Sequence, residues 1–197
     1  MKKLTVKITF LDEVLGTASN DPNIHEEFIA SKAPDALSRD EEILALGVDE
    51  VIEKNKTVFP RSIEGDPILY DYQIKGFFKD SCSMLARLKN GNEASKLKAY
   101  KKVIDGLIFI EPRMIPFEGY GEIGFCQRPL RAQTAQGERI ALANSETVPE
   151  GSTVSFSIIL MDNAHETLVR ELLDYGRYRG IGQWRNSGKG RFTWEEL

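Results

Sequence analysis

The sequence contains few cysteines, no long apolar run and no large excess of charge of either sign. Two cysteines among 197 residues, Cys82 and Cys126, are too few for a disulfide framework or a four-cysteine zinc site. There is no run of about 18 apolar residues, so no transmembrane helix is predicted, and the first ten residues lack the apolar segment of a secretory signal. The composition therefore predicts a cytoplasmic protein with free thiols, without membrane association and without a cofactor.

The small net charge conceals an uneven distribution of acidic and basic residues. The total of −4 at pH 7 argues at first against a nucleic-acid partner. From Asp12 to Glu53, however, there are twelve acidic residues and two basic ones, so this segment carries −10 and the remainder carries +6. The basic residues are concentrated in residues 87–102 and 177–191. Outside the acidic segment, the chain is therefore compatible with binding a polyanion.

The spacing of apolar residues predicts an α+β fold. Alternating apolar residues indicate strands, and apolar residues at helical spacing indicate helices. The predicted order is strand 3–11, helix 74–88, strand 107–111, strand 153–161, helix 164–175 and strand 190–195. This β-α-β-β-α-β order is that of a ferredoxin-like (RRM-like) core. We expect a single domain, 1–197, with an acidic helical insertion at about 12–56 and a thumb-like β insertion at about 113–150.

A glycine-rich segment between the last helix and the last strand is the strongest local motif. It begins with Gly180-Ile181-Gly182 and ends with Gly188-Lys189-Gly190, with Trp184 and Arg185 between them. Glycines allow a polyanion backbone to approach amide N–H groups, basic residues supply charge, and a tryptophan can stack on a base. The alternative is a tight loop whose glycines only allow the last helix to pack on the last strand.

This glycine-rich segment resembles the C-terminal loop of the RAMP superfamily, the ferredoxin-like RNA-binding subunits of CRISPR effectors. Residues 65–79 resemble the family's segment that leads into its first helix, with Lys75, Gly76 and Lys79 at matching positions. The family's Pro-Gly-Ser-Ser is replaced here by Tyr70-Asp71-Tyr72-Gln73. Residues 148–152, Val-Pro-Glu-Gly-Ser, resemble the family's lead-in to a later strand.

The resemblance implies binding of RNA or single-stranded nucleic acid, with possible self-assembly or assembly with CRISPR effector subunits. Lysines in the first turns of a helix are well placed for phosphates, because the helix N-terminus already favours anions. The alternative for these lysines is a solvated helix face. The predicted binding residues are Lys75, Lys79, Lys98, Lys101, Gly180, Gly182, Trp184, Arg185, Gly188, Lys189, Gly190 and Arg191.

Two other functions are alternatives to non-catalytic binding. Some family members cut RNA with an aspartate after the first strand, and Asp21 is the nearest candidate for a metal-dependent ribonuclease. Asp21 also fits a helix N-cap before Pro22, and this interpretation is favoured. The other alternative is a phage-encoded decoy that mimics a backbone subunit and blocks effector assembly through protein contacts.

Overall fold

The computed structural model describes residues 1–20, 56–88, 91–134 and 137–197. Within these ranges the protein is a mixed α+β structure built mainly on antiparallel strand pairs. The helices predicted in the acidic insertion fall on residues 21–53 and lie outside the described residues.

The described elements follow the predicted succession, with several short strands added. In chain order they are β1 (Lys2–Phe10), β2 (Val14–Leu15), β3 (Ala18–Ser19), β4 (Thr57–Val58), β5 (Ile68–Tyr70), α1 (Asp71–Leu85), α2 (Glu93–Lys96), α3 (Tyr100–Leu107), β6 (Ile108–Glu111), β7 (Met114–Glu118), β8 (Gly124–Thr134), β9 (Gly137–Val148), β10 (Thr153–Leu160), α4 (Glu166–Asp174) and β11 (Phe192–Glu196). The six predicted elements correspond to β1, α1, β6, β10, α4 and β11.

The first sheet is organised around β1. β10 pairs with one edge of β1 and β11 with the other, both antiparallel, so that Val6 lies opposite Phe156 and Glu196. Beyond β10, both β6 and β7 pair with that strand, and β5 pairs with β7. The long connection from β1 to α1 therefore returns to the same sheet before α1 begins.

The core lies between one face of this sheet and helices α1 and α4. The alternating residues of β1 and β10 are buried, as the period-two pattern predicts. The helices contribute apolar residues at helical spacing, and the principal buried residues are Leu4, Val6, Ile8, Phe10, Val154, Phe156, Ile158, Leu160, Ile74, Phe77, Phe78, Leu168, Val169 and Leu172. Phe192 on β11 contacts both Phe10 and Phe77, with ring centroids 6.1 and 5.1 Å apart, and so joins the sheet to α1.

Several boundaries differ from the prediction, and α1 spans Asp71–Leu85 rather than the predicted 74–88. Leu107 ends α3 rather than beginning the following strand, because Ile104 and Leu107, three residues apart, suit a helix as well as a strand. Residues 114–118 form β7, which belongs to the first sheet, although the pattern assigned them to the thumb-like insertion. The projecting hairpin consists of β8 and β9, which pair from Gly124↔Thr147 to Thr134↔Gly137.

The β8–β9 hairpin is the centre of a second sheet. Val14 and Leu15 of β2 pair with the base of β9, and Thr57 of β4 pairs with Ser145 in the same strand. The buried carboxylate of Glu146 accepts a hydrogen bond of 2.8 Å from Phe59 N and forms an ion pair with Arg61. The base of the hairpin is thus held by contacts on both sides.

We expect Cys82 to be unreactive in the folded protein. The side chain is fully buried on α1, and burial, with a smaller contribution from Glu171, raises the pKa of its thiol to about 11. Only about one thiol in a thousand would then be thiolate at pH 8, and the thiolate is the reactive form. Labelling with N-ethylmaleimide at pH 8, read by mass spectrometry, should therefore modify Cys82 only after denaturation.

The half-buried Cys126 provides an internal control for this labelling experiment. It should be modified in the native protein well before Cys82. Equal rates at the two cysteines under native conditions would contradict the packing of α1 against α4.

In the described part of the chain, no helix is both long and apolar enough to cross a membrane.

Candidate nucleic-acid interface

A cleft lies between the first half of α1 and the glycine-rich loop, which we define as residues 180–191. It encloses about 250 Å³ and is lined by Thr17, Gln73, Gly76, Phe77, Asp80, Ile181, Gly182 and Arg185. Gln73 fixes the start of α1, since its Oε1 accepts a 2.7 Å bond from Tyr70 N and its Nε2 donates a 2.8 Å bond to Thr17 Oγ1. The predicted first helix and the predicted loop are therefore brought together.

The two ends of the glycine-rich loop cross each other at van der Waals contact. Ile181 N donates a 3.0 Å hydrogen bond to Gly190 O. A Cβ on Gly180 would lie 2.1 Å from Lys189 O, and a Cβ on Gly190 would lie 2.0 Å from Ile181 O. Gly190 also has a φ of +69°. These two glycines are thus required by the closure of the loop itself, whatever the loop binds.

The basic side chains of the loop are held by carboxylates from elsewhere in the chain. Arg185 Nη1 lies 2.8 Å from Asp80 Oδ2, and the neighbouring Arg179 Nε lies 2.7 Å from the same oxygen. The other two basic side chains, Lys189 and Arg191, form ion pairs of 2.6 and 2.7 Å with two acidic residues after β1, which are Glu13 and Asp12, respectively.

These contacts fasten the loop to α1 and to the segment after β1. The hydrogen bond that Lys189 donates to Glu13 raises the pKa of Lys189, and the hydrogen bond that Arg179 donates to Asp80 raises the pKa of Arg179. Asp12 and Glu13 were counted with the acidic insertion in the sequence, but they lie against the loop. Three carboxylates, those of Asp12, Glu13 and Asp80, therefore offset much of the loop's positive charge.

Lys75 and Lys79 lie on a different face of α1 from the cleft. They are about 200° and 240° around the helix from Gln73, whereas Asp80 is within about 20° of it. Lys75 Nζ donates a 3.2 Å bond to Asp105 O and lies 4.6 Å from the ring centroid of Phe109. Lys79 Nζ is 2.7 Å from Asp105 Oδ1. The structure therefore joins these lysines to α3 and does not bring them to the glycine-rich loop.

The lysines of α1 and α3 on the side of Asp105, together with Lys98 in the turn before α3, are defined here as the lysine cluster: Lys75, Lys79, Lys98, Lys101 and Lys102. Lys101 and Lys102 precede Asp105 by one turn of α3, so they share its face. Lys98 lies in the turn before this helix, and it is exposed like Lys101 and Lys102. Within the described ranges, Lys98 and Lys101 form no ion pair. Asp105 alone cannot neutralise this group, so the surface is positively charged.

Trp184 is 41% exposed and has a left-handed backbone, with φ at +57°. The guanidinium carbon of Arg128 lies 5.3 Å from the centroid of its ring. Arg128 lies on β8, in the predicted thumb-like insertion, but its position beside the loop was not predicted, because no local pattern in the sequence shows that β8 meets the loop. The acidic partners Asp12, Glu13 and Asp80 were missed for the same reason.

The candidate catalytic residue Asp21 lies outside the described residues. Across residues 1–20, 56–88, 91–134 and 137–197, no group of three or more His, Cys, Asp or Glu side chains is arranged to hold a metal ion.

Comparison with known proteins gives similarity at the level of the fold. No protein-family profile matches this sequence, and no curated protein sequence matches it. A chain of the Type III-B Cmr-beta complex bound to cognate target RNA superposes with a TM-score of 0.53 and 12% identity, covering 100% of this chain and 59% of that chain. A chain of a Type IV-B CRISPR complex superposes with a TM-score of 0.50 and 12% identity, covering 100% of this chain and 90% of that one. The protein thus shares its fold with CRISPR complex subunits and spans 59% of the length of the Cmr-beta chain.

Proposed function

We propose that this protein binds RNA or another single-stranded nucleic acid, without cutting it, as a RAMP-like subunit. The observation that carries this proposal is the lysine cluster. Four of its lysines lie on the neighbouring helices α1 and α3, Lys98 lies in the turn before α3, and the Phe109 ring, 41% exposed, lies beside Lys75. Lysines spaced along a surface neutralise successive phosphates, and an exposed aromatic ring can stack on a base.

The arrangement of strands supports a ferredoxin-like core for this subunit. β11, β1, β10 and β6 are neighbours in that order, while α1 and α4 connect strands of the same sheet. The fold is similar to that of a chain in a complex bound to target RNA. We therefore propose RNA and other subunits of an effector, or further copies of this chain, as its partners.

The glycine-rich loop is proposed to contribute through its central residues rather than its ends. The N–H groups of Gly188 and Gly190 already donate to Arg185 O and Glu13 O. The side chains of Lys189 and Arg191 are already ion-paired, so the segment around Trp184 is more available to a ligand. The cleft of about 250 Å³ is lined by Arg185, which follows Trp184.

Replacing Lys75 and Lys79 with alanine is expected to weaken the binding of a 30-nucleotide single-stranded RNA about tenfold at 100 mM salt, because two phosphate contacts are lost. The slope of log Kd against log salt should decrease by about 1.4, or about 0.7 for each lost phosphate contact. Fluorescence anisotropy with a labelled RNA at several salt concentrations measures both quantities.

The matched control replaces Lys3 and Lys7 with alanine. These lysines lie on β1, on the face of the sheet opposite the core, and the double variant removes the same charge. It should bind RNA as the wild type does. An equal loss in both double variants would show that binding depends on net charge alone, and no RNA binding by the wild type would overturn the proposal in favour of a protein-binding role.

A further inference from the structure

Arg128 is a buried arginine whose charge has no partner in the described protein. The residue is only 8% exposed, at the point where β8 passes the glycine-rich loop. Nη2 donates to Gln183 Oε1, but Nε and Nη1 are buried and have no hydrogen-bond partner. Three of the five N–H donors of the guanidinium are therefore unsatisfied.

This arrangement is energetically costly for the unliganded protein. An arginine stays protonated in a protein, so burial cannot be relieved by loss of the proton. A buried charge is normally paired or hydrogen-bonded, and each unsatisfied buried donor costs about 1–3 kcal/mol. The contact with the Trp184 ring offsets part of the lost hydration but satisfies none of the N–H groups.

The neighbouring basic residues form ion pairs, unlike Arg128. Arg179, Arg185, Lys189 and Arg191 each have a carboxylate within 2.8 Å, although all four are more exposed than Arg128. The chain thus supplies carboxylates to these four cations in and beside the loop and none to Arg128. Trp184 is held over Arg128 in a backbone conformation that costs about 1–3 kcal/mol for a residue other than glycine.

We propose that Arg128 and Gln183 form a binding site for one backbone phosphate of the nucleic acid, with Trp184 covering the guanidinium. Nε and Nη1 are closed to solvent in the free protein, so side chains over the guanidinium would move aside before a phosphate oxygen accepts hydrogen bonds from these N–H groups, as arginine commonly donates to phosphate. The site lies at the junction of the β8–β9 hairpin and the glycine-rich loop, so a bound strand would contact both. This inference rests on the proposed function and specifies where one phosphate is held.

The test is the substitution Arg128→Met, which removes the charged guanidinium and keeps an apolar side chain about as long as the stem of the arginine. Since the unpaired charge is lost, the Tm of the free protein should stay the same or rise. The Kd for the 30-nucleotide RNA should increase at least fivefold at 100 mM salt, and the salt slope should decrease by about 0.7. The matched control is Arg170→Met, at an ion-paired arginine on α4, which should bind RNA normally.

Two further outcomes separate this inference from the proposed function. If Lys75→Ala/Lys79→Ala weakens RNA binding but Arg128→Met does not, the phosphate site is wrong and the proposed function stands. A fall in Tm for Arg128→Met with unchanged RNA affinity would likewise overturn the site, because it identifies a structural arginine.

A separate arm uses inorganic phosphate as the probe. Phosphate, compared with chloride at equal ionic strength, should raise the Tm of the wild type and not that of Arg128→Met. If phosphate has this effect but the wild type binds no RNA, the site takes an anion from another source, and both the proposed function and this assignment to a nucleic-acid backbone are overturned.

Discussion

Gly190→Ala is expected to lower the free energy of unfolding by about 3 kcal/mol or more. Two effects add at this position. The backbone φ of +69° is unfavourable for alanine, and the new Cβ would lie 2.0 Å from Ile181 O, a backbone atom that cannot move without opening the loop. Urea denaturation followed by circular dichroism measures the change.

Gly151→Ala is the matched control for this substitution. Gly151 also has a positive φ, +80°, but nothing lies within 4 Å of a Cβ built on it. Gly151→Ala should lower the free energy of unfolding only through its unfavourable φ, by about 1 kcal/mol. If the two variants lose the same stability, the ends of the loop do not cross as closely as described. If Gly190→Ala is much less stable than Gly151→Ala, then any loss of RNA binding in Gly190→Ala results from opening of the loop rather than from a lost contact with RNA.

Phe192→Ala is expected to destabilise the protein by about 3–5 kcal/mol, since it removes a fully buried aromatic side chain. The ring packs against Phe10 of β1 and Phe77 of α1, so the cavity would open where the last strand meets the sheet and the first helix. Differential scanning calorimetry or urea denaturation should show the loss directly.

A double-mutant cycle with Gly176 makes this prediction more specific. A Cβ on Gly176 would lie 2.3–2.7 Å from atoms of the Phe192 ring. Gly176→Ala alone should therefore cost about 1–3 kcal/mol, whereas in the Phe192→Ala background it should be neutral or stabilising, because the ring is gone. The two substitutions should couple by about 1–3 kcal/mol. If the losses of stability in the two single variants simply add in the double variant, the close contact between Gly176 and the Phe192 ring is contradicted.

Elements with a clear period were predictable from the sequence. The alternation in β1 and β10 and the helical spacing in α1 and α4 each reflect a single buried face, which is a local property of the chain. The end of α3 was not predictable, because a short apolar segment fits either a strand or a helix. The membership of β7 in the first sheet was not predictable either, because pairing partners depend on the whole sheet.

The candidate site was only partly predictable for a related reason. The motif of glycines identified the loop, but the ion pairs of Lys189 and Arg191 connect residues that are more than 170 positions apart. A count of charges along the sequence assigned Glu13 and Asp12 to the acidic segment. Only the folded chain shows that they face the loop, and that Arg128 lies beside it without such a partner.

The position of β1 has a consequence for how this protein folds as it is made. Both strands that pair with β1 come late: Thr153 follows Phe10 by 143 residues, and Phe192 comes later still. At synthesis rates of about 5–20 residues per second, the first strand would wait on the order of ten seconds for its partners. During that time both edges of the strand, from Leu4 to Phe10, lack the strands that pair with them, and folding dominated by such distant pairings is slow. The nascent chain is therefore expected to require protection of its first ten residues, by a chaperone or by the ribosome surface, until β10 emerges.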